Sequence, residues 1–386
     1  MKTEKNSAGR RGKTADNLKG DGLIMKKLGI GIIGCGGIAT GKHLKALKAH
    51  EELCEIVSFC DGFEERAAKA AADFGTADAQ VTKDYKEVLG NPKVDVVYVL
   101  TPNISHSTIA VEAFEAGKHV MCEKPMAVNT VEAQKMMDAW HRSGKHFSIG
   151  YQNRYRADVR HLYASCRSGE LGDIYYAKAF AVRRRAVPSW GSFIQGTQQG
   201  GGPLIDIGTH ALDLTLWLMD NYEVASVTGT VFRKLGRSPE AVEGNIWGAW
   251  DPEKYNVEDS AFGFIKMKNG ALIDLQTSWA LNTLHVREAE VELCGTKAGA
   301  ELRSHSEVIY NRTSHGRLMT ETFTPDSEPP SIYGTGNDAS YLEAKEWLTS
   351  IIEDREPLVR PEQAFVVTQI LDAVYESARK NETIYF

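Results

Sequence analysis

With 386 residues, 42% of them hydrophobic and 25% charged, the chain is long enough for two domains of ordinary size, and its composition excludes a wholly disordered or fibrous protein. A formal net charge of −6 excludes a general nucleic-acid surface, and no apolar run approaches the roughly 20 residues of a membrane-spanning helix. The six cysteines form no CxxC pair and no metal-ligand spacing; they read as reduced core residues of a cytoplasmic protein.

Residues 1–25 are basic in balance and lack the apolar stretch of a secretion signal, so they are expected to be a disordered extension. Residues 26–150 follow as an alternation of strands and helices. An apolar strand from Leu28 runs into Gly34-Cys35-Gly36-Gly37-Ile38-Ala39, which fits G-x-G-x-x-A through Gly34, Gly36 and Ala39. In that pattern the first glycine makes the tight turn, the second lets backbone approach a pyrophosphate, and the small third residue lets helix pack on strand. Unpaired N–H groups and the helix dipole then favour the phosphates, so Gly34, Gly36, Gly37 and Ile38 are cofactor-binding candidates. The next strand, Cys54 to Cys60, ends in Asp61, at the spacing of an acid that accepts from ribose hydroxyls and repels a 2′-phosphate. That favours NAD over NADP; the alternative is that Asp61 only caps the helix from Phe63 to Phe74.

Strands Val94 to Leu100, His119 to Cys122 and His146 to Gly150 continue the alternation, with helices Asp84 to Leu89, Ser107 to Ala116 and Thr130 to Ser143. This predicts a doubly wound parallel sheet, the α/β dinucleotide-binding arrangement, with ligands at the carboxyl ends of the strands. Three clusters fall at those ends: Thr101-Pro102-Asn103 with His106, then Glu123-Lys124-Pro125, then Tyr151-Gln152-Asn153-Arg154. All three are expected to face one crevice with the glycine turn. Thr101, Asn103, His106, Glu123, Lys124, Asn153 and Arg154 are therefore assigned to the cofactor, and Lys124 and Tyr151 also to the substrate.

Residues 151–386 change character. After a helical segment, Asp158 to Arg167, strand-like runs dominate: Tyr175 to Val182, Ser226 to Val231, Asp259 to Met267, Ala271 to Trp279 and Glu288 to Leu293. Asn269-Gly270 predicts a hairpin between two of them, and the whole predicts an α+β domain on an open, largely antiparallel sheet. Segments Tyr341 to Ile352 and Pro361 to Arg379 read as helices returning to the first domain. Within this half, Gly200-Gly201-Gly202-Pro203 leads into a helix on which Asp206, His210 and Asp213 recur at i, i+4 and i+7. Asp206 and His210 are the chemical candidates, whereas Asp213 is either a third polar group or part of a wetted face. No metal site is expected, since a third ligand is missing. Upstream lies Arg183-Arg184-Arg185 with Trp190, whose indole could stack on a pyranose or on the nicotinamide, and whose arginines could bind hydroxyls or phosphates. The stretch Asn245 to Pro252 adds Trp247 and Trp250, either widening a glycoside pocket or packing at a subunit interface.

The glycine turn, Glu123-Lys124-Pro125 and Gly202-x-x-x-Asp206-x-x-x-His210 together resemble the Gfo/Idh/MocA family of NAD(P)-dependent sugar and polyol oxidoreductases, over roughly Leu28 to the C-terminus. The resemblance implies an active site between the two domains, a cis peptide before Pro125, a homo-oligomer built on the open sheet, and Lys124, Asp206 and His210 as the catalytic set. It implies hydride transfer between a sugar or polyol hydroxyl and NAD(P); the expectation is oxidation of a ring hydroxyl, such as C3, of a glucoside or related pyranose, with NAD and with no nucleic acid or membrane partner. Lys124 and His210 both remain candidates for the base. The alternatives are a redox-neutral NAD-dependent glycosidase, which the resemblance also allows, and a sugar- or NAD-sensing regulator on the same scaffold.

Overall fold

The computed structural model describes residues 27–303, 307–325 and 339–386, so the extension expected over residues 1–25 lies outside the described residues. Strands β1 (Leu28–Ile33), β2 (Cys54–Cys60), β3 (Gln80–Thr82), β4 (Val96–Val99), β5 (His119–Cys122) and β6 (Phe147–Ile149) form a parallel sheet in the order β3-β2-β1-β4-β5-β6. Both faces are covered, which is why these strands are unbroken apolar runs. In β4, Val96 and Tyr98 join one core with Ile30, Ile32 and Trp347, while Val97 and Val99 join another with Ile33 and Met136. The order reverses between β1 and β4, and such a reversal opens a crevice at the strands' carboxyl ends.

The second sheet contains β7 (Ile174–Val182), β8 (Val224–Phe232), β9 (Ser260–Met267), β10 (Leu272–Ser278), β11 (Arg287–Gly295), β12 (Ala298–Arg303), β13 (Glu307–Ser314), β14 (Arg317–Phe323) and β15 (Ile384–Tyr385). Their order is β14-β13-β12-β11-β7-β10-β9-β8-β15; β7 and β10 run parallel and the other described neighbours antiparallel. The open, largely antiparallel sheet is thus as expected, including the β9–β10 hairpin, where Gly270 adopts φ +91°. Strands β3 and β12–β15 go beyond the sequence reading. Gln80-Val81-Thr82 is too short to show an alternation, β12 is built largely of small residues, and β14 is exposed along nearly its whole length.

Helices Thr209–Met219 and Pro361–Lys380 pack on one face of this sheet, and the opposite face carries Lys178 paired with Glu292 and an exposed Phe264. The two C-terminal helices also hold the first domain. Trp347 and Leu348 of Ala339–Ile352 sit in the core with Leu44, and Asp372 of Pro361–Lys380 accepts from the Thr130 N–H at 3.0 Å. The C-terminal helices thereby tie the two sheets together.

Candidate active site

β1 ends in Gly34, whose φ of +98° and whose missing Cβ, which would lie 2.6 Å from the Leu100 carbonyl oxygen, press the turn against the end of β4. Cys35 N–H donates to Asp61 Oδ2 at 2.8 Å and Phe63 N–H donates to Asp61 Oδ1 at 2.9 Å. Asp61 therefore closes a local turn ahead of the helix Glu64–Phe74, which it does not cap, and also fixes the glycine turn, its remaining lone pairs available to a ribose. A Cβ at Gly36 or Gly37 would meet nothing within 4 Å, and Ile38 is exposed, so this backbone is open to a close-lying ligand. An open glycine cradle ahead of a helix, with a carboxylate one strand away, fits a dinucleotide.

Lys124 follows β5, and its bond to Pro125 is cis. Beside it Glu123 is buried and fully engaged: Oε1 accepts from Lys42 Nζ at 2.9 Å and pairs with His43 Nε2 at 2.8 Å, and Oε2 accepts from Lys124 N–H at 3.0 Å. Lys42 also bonds Glu343 at 2.9 Å, and the two carboxylates overcome its burial to push its pKa up to about 12. Burial and then the Lys42 charge lower His43 to about 4, whereas burial raises Glu343 to about 7. Glu123 was expected to meet the cofactor; its oxygens instead anchor the Lys124 backbone. Lys42, His43 and Glu343 were missed. A Lys-His pair just after the glycine turn was the only sign of the first two, and Glu343 lies 220 positions from Glu123 in the sequence.

Lys124 Nζ donates to Asp206 twice, to the carbonyl oxygen at 2.8 Å and to Oδ1 at 3.0 Å. Trp279 Nε1–H donates to Asp206 Oδ2 at 3.1 Å. Burial pushes the Asp206 carboxyl up, but Lys124 and Arg183 outweigh it and hold the pKa below the usual carboxylate range. Asp206 sits in a wide turn, Leu204–Gly208, that precedes the helix Thr209–Met219 bearing His210. Buried Glu258, another unforeseen residue, caps this turn, accepting from Gly202 N–H at 2.9 Å and from Leu204 N–H at 3.2 Å. The glycine run serves that packing, since a Cβ on Gly201 would lie 2.0 Å from the Tyr375 hydroxyl oxygen and one on Gly202 2.3 Å from the Glu258 carbonyl oxygen. His210 is partly exposed, but its Nδ1 is buried and without a hydrogen-bond partner. Burial, and next the Lys124 charge, lower its pKa to about 3, so the ring is neutral at ordinary pH.

The remaining expected residues divide. Tyr151 is buried edge-on to His210, centroids 6.3 Å apart, and its hydroxyl is taken by Thr209 at 2.8 Å, so it forms a wall. Arg154 does not reach the crevice: fully buried, it pairs with Asp213 and donates to Gln363 Oε1 at 2.6 Å. Neither is Asp213 a wetted residue, being 1% exposed in that pair. His106 is buried between two carbonyl oxygens, those of Pro125 and Thr101, each 2.9 Å away, which ties the β4 turn to the Lys124 segment instead of facing a ligand. Thr101 accepts from Ser105 Oγ at 2.7 Å, and Asn103 donates to the Gln199 carbonyl at 3.0 Å across the domains. Asn153 is half-buried at the end of β6, while Arg184 and Trp190 are exposed on the loop after β7.

Residues 28–151 match the oxidoreductase family, NAD-binding Rossmann fold, and residues 166–386 match its C-terminal alpha/beta domain, the pair named for Gfo/Idh/MocA. The chain belongs to this family. It is 35% identical over 358 residues to D-glucoside 3-dehydrogenase of Escherichia coli strain K12, covering 92% of this chain and 97% of that one. Levoglucosan dehydrogenase of Pseudarthrobacter phenanthrenivorans is 26% identical, covering 93% and 98%. Among solved structures, levoglucosan dehydrogenase in complex with NADH and levoglucosan superposes with a TM-score of 0.80 at 22% identity, covering 93% of this chain and 99% of that one, which shares the fold. The protein is an NAD-dependent oxidoreductase.

Proposed function

We propose that the protein oxidises the C3 hydroxyl of a D-glucoside, with Lys124 as the proton carrier. The observation that carries this reading is the 35% identity, over nearly the full length, to D-glucoside 3-dehydrogenase together with the Lys124–Asp206 pair beside His210. NAD, held at the glycine turn and Asp61, would supply the hydride acceptor. As hydride leaves the carbon, its hydroxyl must lose a proton to a group within hydrogen-bond reach. As the neutral amine, Lys124 Nζ keeps its two N–H groups on Asp206 and has one lone pair to take the proton of the substrate hydroxyl. His210 is the poorer base: its protonation would leave a buried N–H at Nδ1 without an acceptor, whereas the neutral ring can orient the hydroxyl. Asp206, gripped by Trp279, fixes Lys124.

We also assign the protein to the cytoplasm, in keeping with six free cysteines, and to a homo-oligomer that covers the open face bearing Phe264. The catalytic reading is tested by incubating protein and NAD with methyl glucoside, free sugars and acyclic polyols while following NADH and products. NADH should accumulate with a 3-keto glycoside. Reaction of acyclic polyols alone would refute the glucoside assignment, and release of an aglycone without NADH would make the enzyme a redox-neutral glycosidase.

A further inference from the structure

A cavity of about 550 Å³ bounded by Arg183, Ile246, Trp247 and Val286 takes no part in the reaction described above. A relay of packed side chains links its wall to Asp206. Trp279, which holds Asp206, meets Phe193 edge-on; Phe193 meets Trp190, and Trp190 meets Trp247, with ring centroids 6.4, 5.9 and 5.2 Å apart. Arg183 joins the two ends, since its charge helps lower the Asp206 pKa while its guanidinium lies 4.7 Å over the Trp247 ring. Trp250, the other tryptophan of that loop, is buried and donates to the Gly236 carbonyl, so it is structural.

The lining is apolar with a cationic rim. Ile246 and Val286 are 71% and 56% exposed, apolar surface that gains from being covered. Arg183 is neutralised by Glu288, but Arg184 is exposed and Arg185, among the described residues, bonds neutral groups, Asn282 and the Arg184 carbonyl.

Resting on the reading of the enzyme as a glucoside oxidoreductase, we propose that this cavity is an aglycone subsite for a flat aromatic group carrying a carboxylate. With the sugar held at Lys124, an aglycone ring extends along the aromatic run, lies against Trp247 and covers Ile246, and its carboxylate meets the Arg184 guanidinium.

The test compares kcat/KM for methyl, phenyl and 4-carboxyphenyl glucosides of one anomeric form. The wild-type enzyme should prefer phenyl over methyl by about tenfold, the order expected for an aromatic contact plus apolar burial. It should prefer 4-carboxyphenyl over phenyl several-fold more. Trp247→Ala, or Ile246→Ser should the first variant fold poorly, should lower the first ratio toward one, and Arg184→Gln should do the same to the second. Ratios near one in the wild type, or ratios unchanged in the variants, would overturn the subsite and leave the dehydrogenase standing. If no glucoside is oxidised, the functional reading itself has failed. Tryptophan-fluorescence titration of the NAD-loaded protein then decides the subsite: tighter phenyl than methyl glucoside sustains it, and equal affinities overturn it.

Discussion

Lys124 is aimed from three sides: Glu123 holds its backbone N–H, Pro125 fixes the chain after it, and Asp206 takes two bonds from its Nζ. Removing the side chain deletes the proton carrier but touches neither the glycine turn nor Asp61. Lys124→Ala should therefore lower kcat by about 10²–10⁴-fold, the range of a general acid–base group, with NAD affinity retained. Stopped-flow turnover beside a cofactor titration checks this, and near-normal kcat would remove Lys124 from the mechanism. Lys124, Asp206 and His210 were legible because each sits in a short motif whose spacing survives folding. Glu123 and Arg154 were misassigned because their placement at strand ends is all the sequence shows; the partners that turn them inward, Lys42 and Gln363, come from segments far along the chain.

Among the elements, the helix carrying His210 is positioned by contacts at both ends. Glu258 caps the turn before it, and Asp213 within it is locked to Arg154 of the turn Gln152–Tyr155 after β6. Arg154 is fully buried, and losing one partner of a buried pair leaves the other charge uncompensated. Arg154→Met should destabilise the fold by about 3–5 kcal/mol in denaturant titration. Its NAD affinity at permissive temperature should stay near wild type; a large rise in the NAD dissociation constant with unchanged stability would return Arg154 to the cofactor site. The alternating first half was readable because every strand there is buried on both faces. In the second half β7 to β11 could be read from β-rich runs and the Asn269-Gly270 turn, whereas β14 pairs with β13 at an exposed edge and has little inward face to reveal it.

Across the whole molecule, burial keeps several histidines neutral. His43 and His119 are lowered to about 4 and His210 to about 3 from 6.5 in the unfolded chain. Between those values the unfolded state binds more protons, so the stability they contribute is complete above about pH 6.5 and declines as pH falls toward 4. Glu343, raised to about 7 from 4.5, acts in the opposite sense, since its contribution declines as pH rises across that window. Three groups outweigh one, so Tm should fall as pH is lowered from 7 to 4.5; a flat or rising Tm would contradict this assignment.

The most direct test of the account is to supply methyl glucoside deuterated at C3 together with NAD and to analyse the reduced cofactor by mass spectrometry. Hydride transfer from C3 predicts one deuterium in each NADH formed and a slowed turnover if that step limits the rate. Unlabelled NADH, formed while the 3-deuterated sugar is consumed, would contradict oxidation at that carbon.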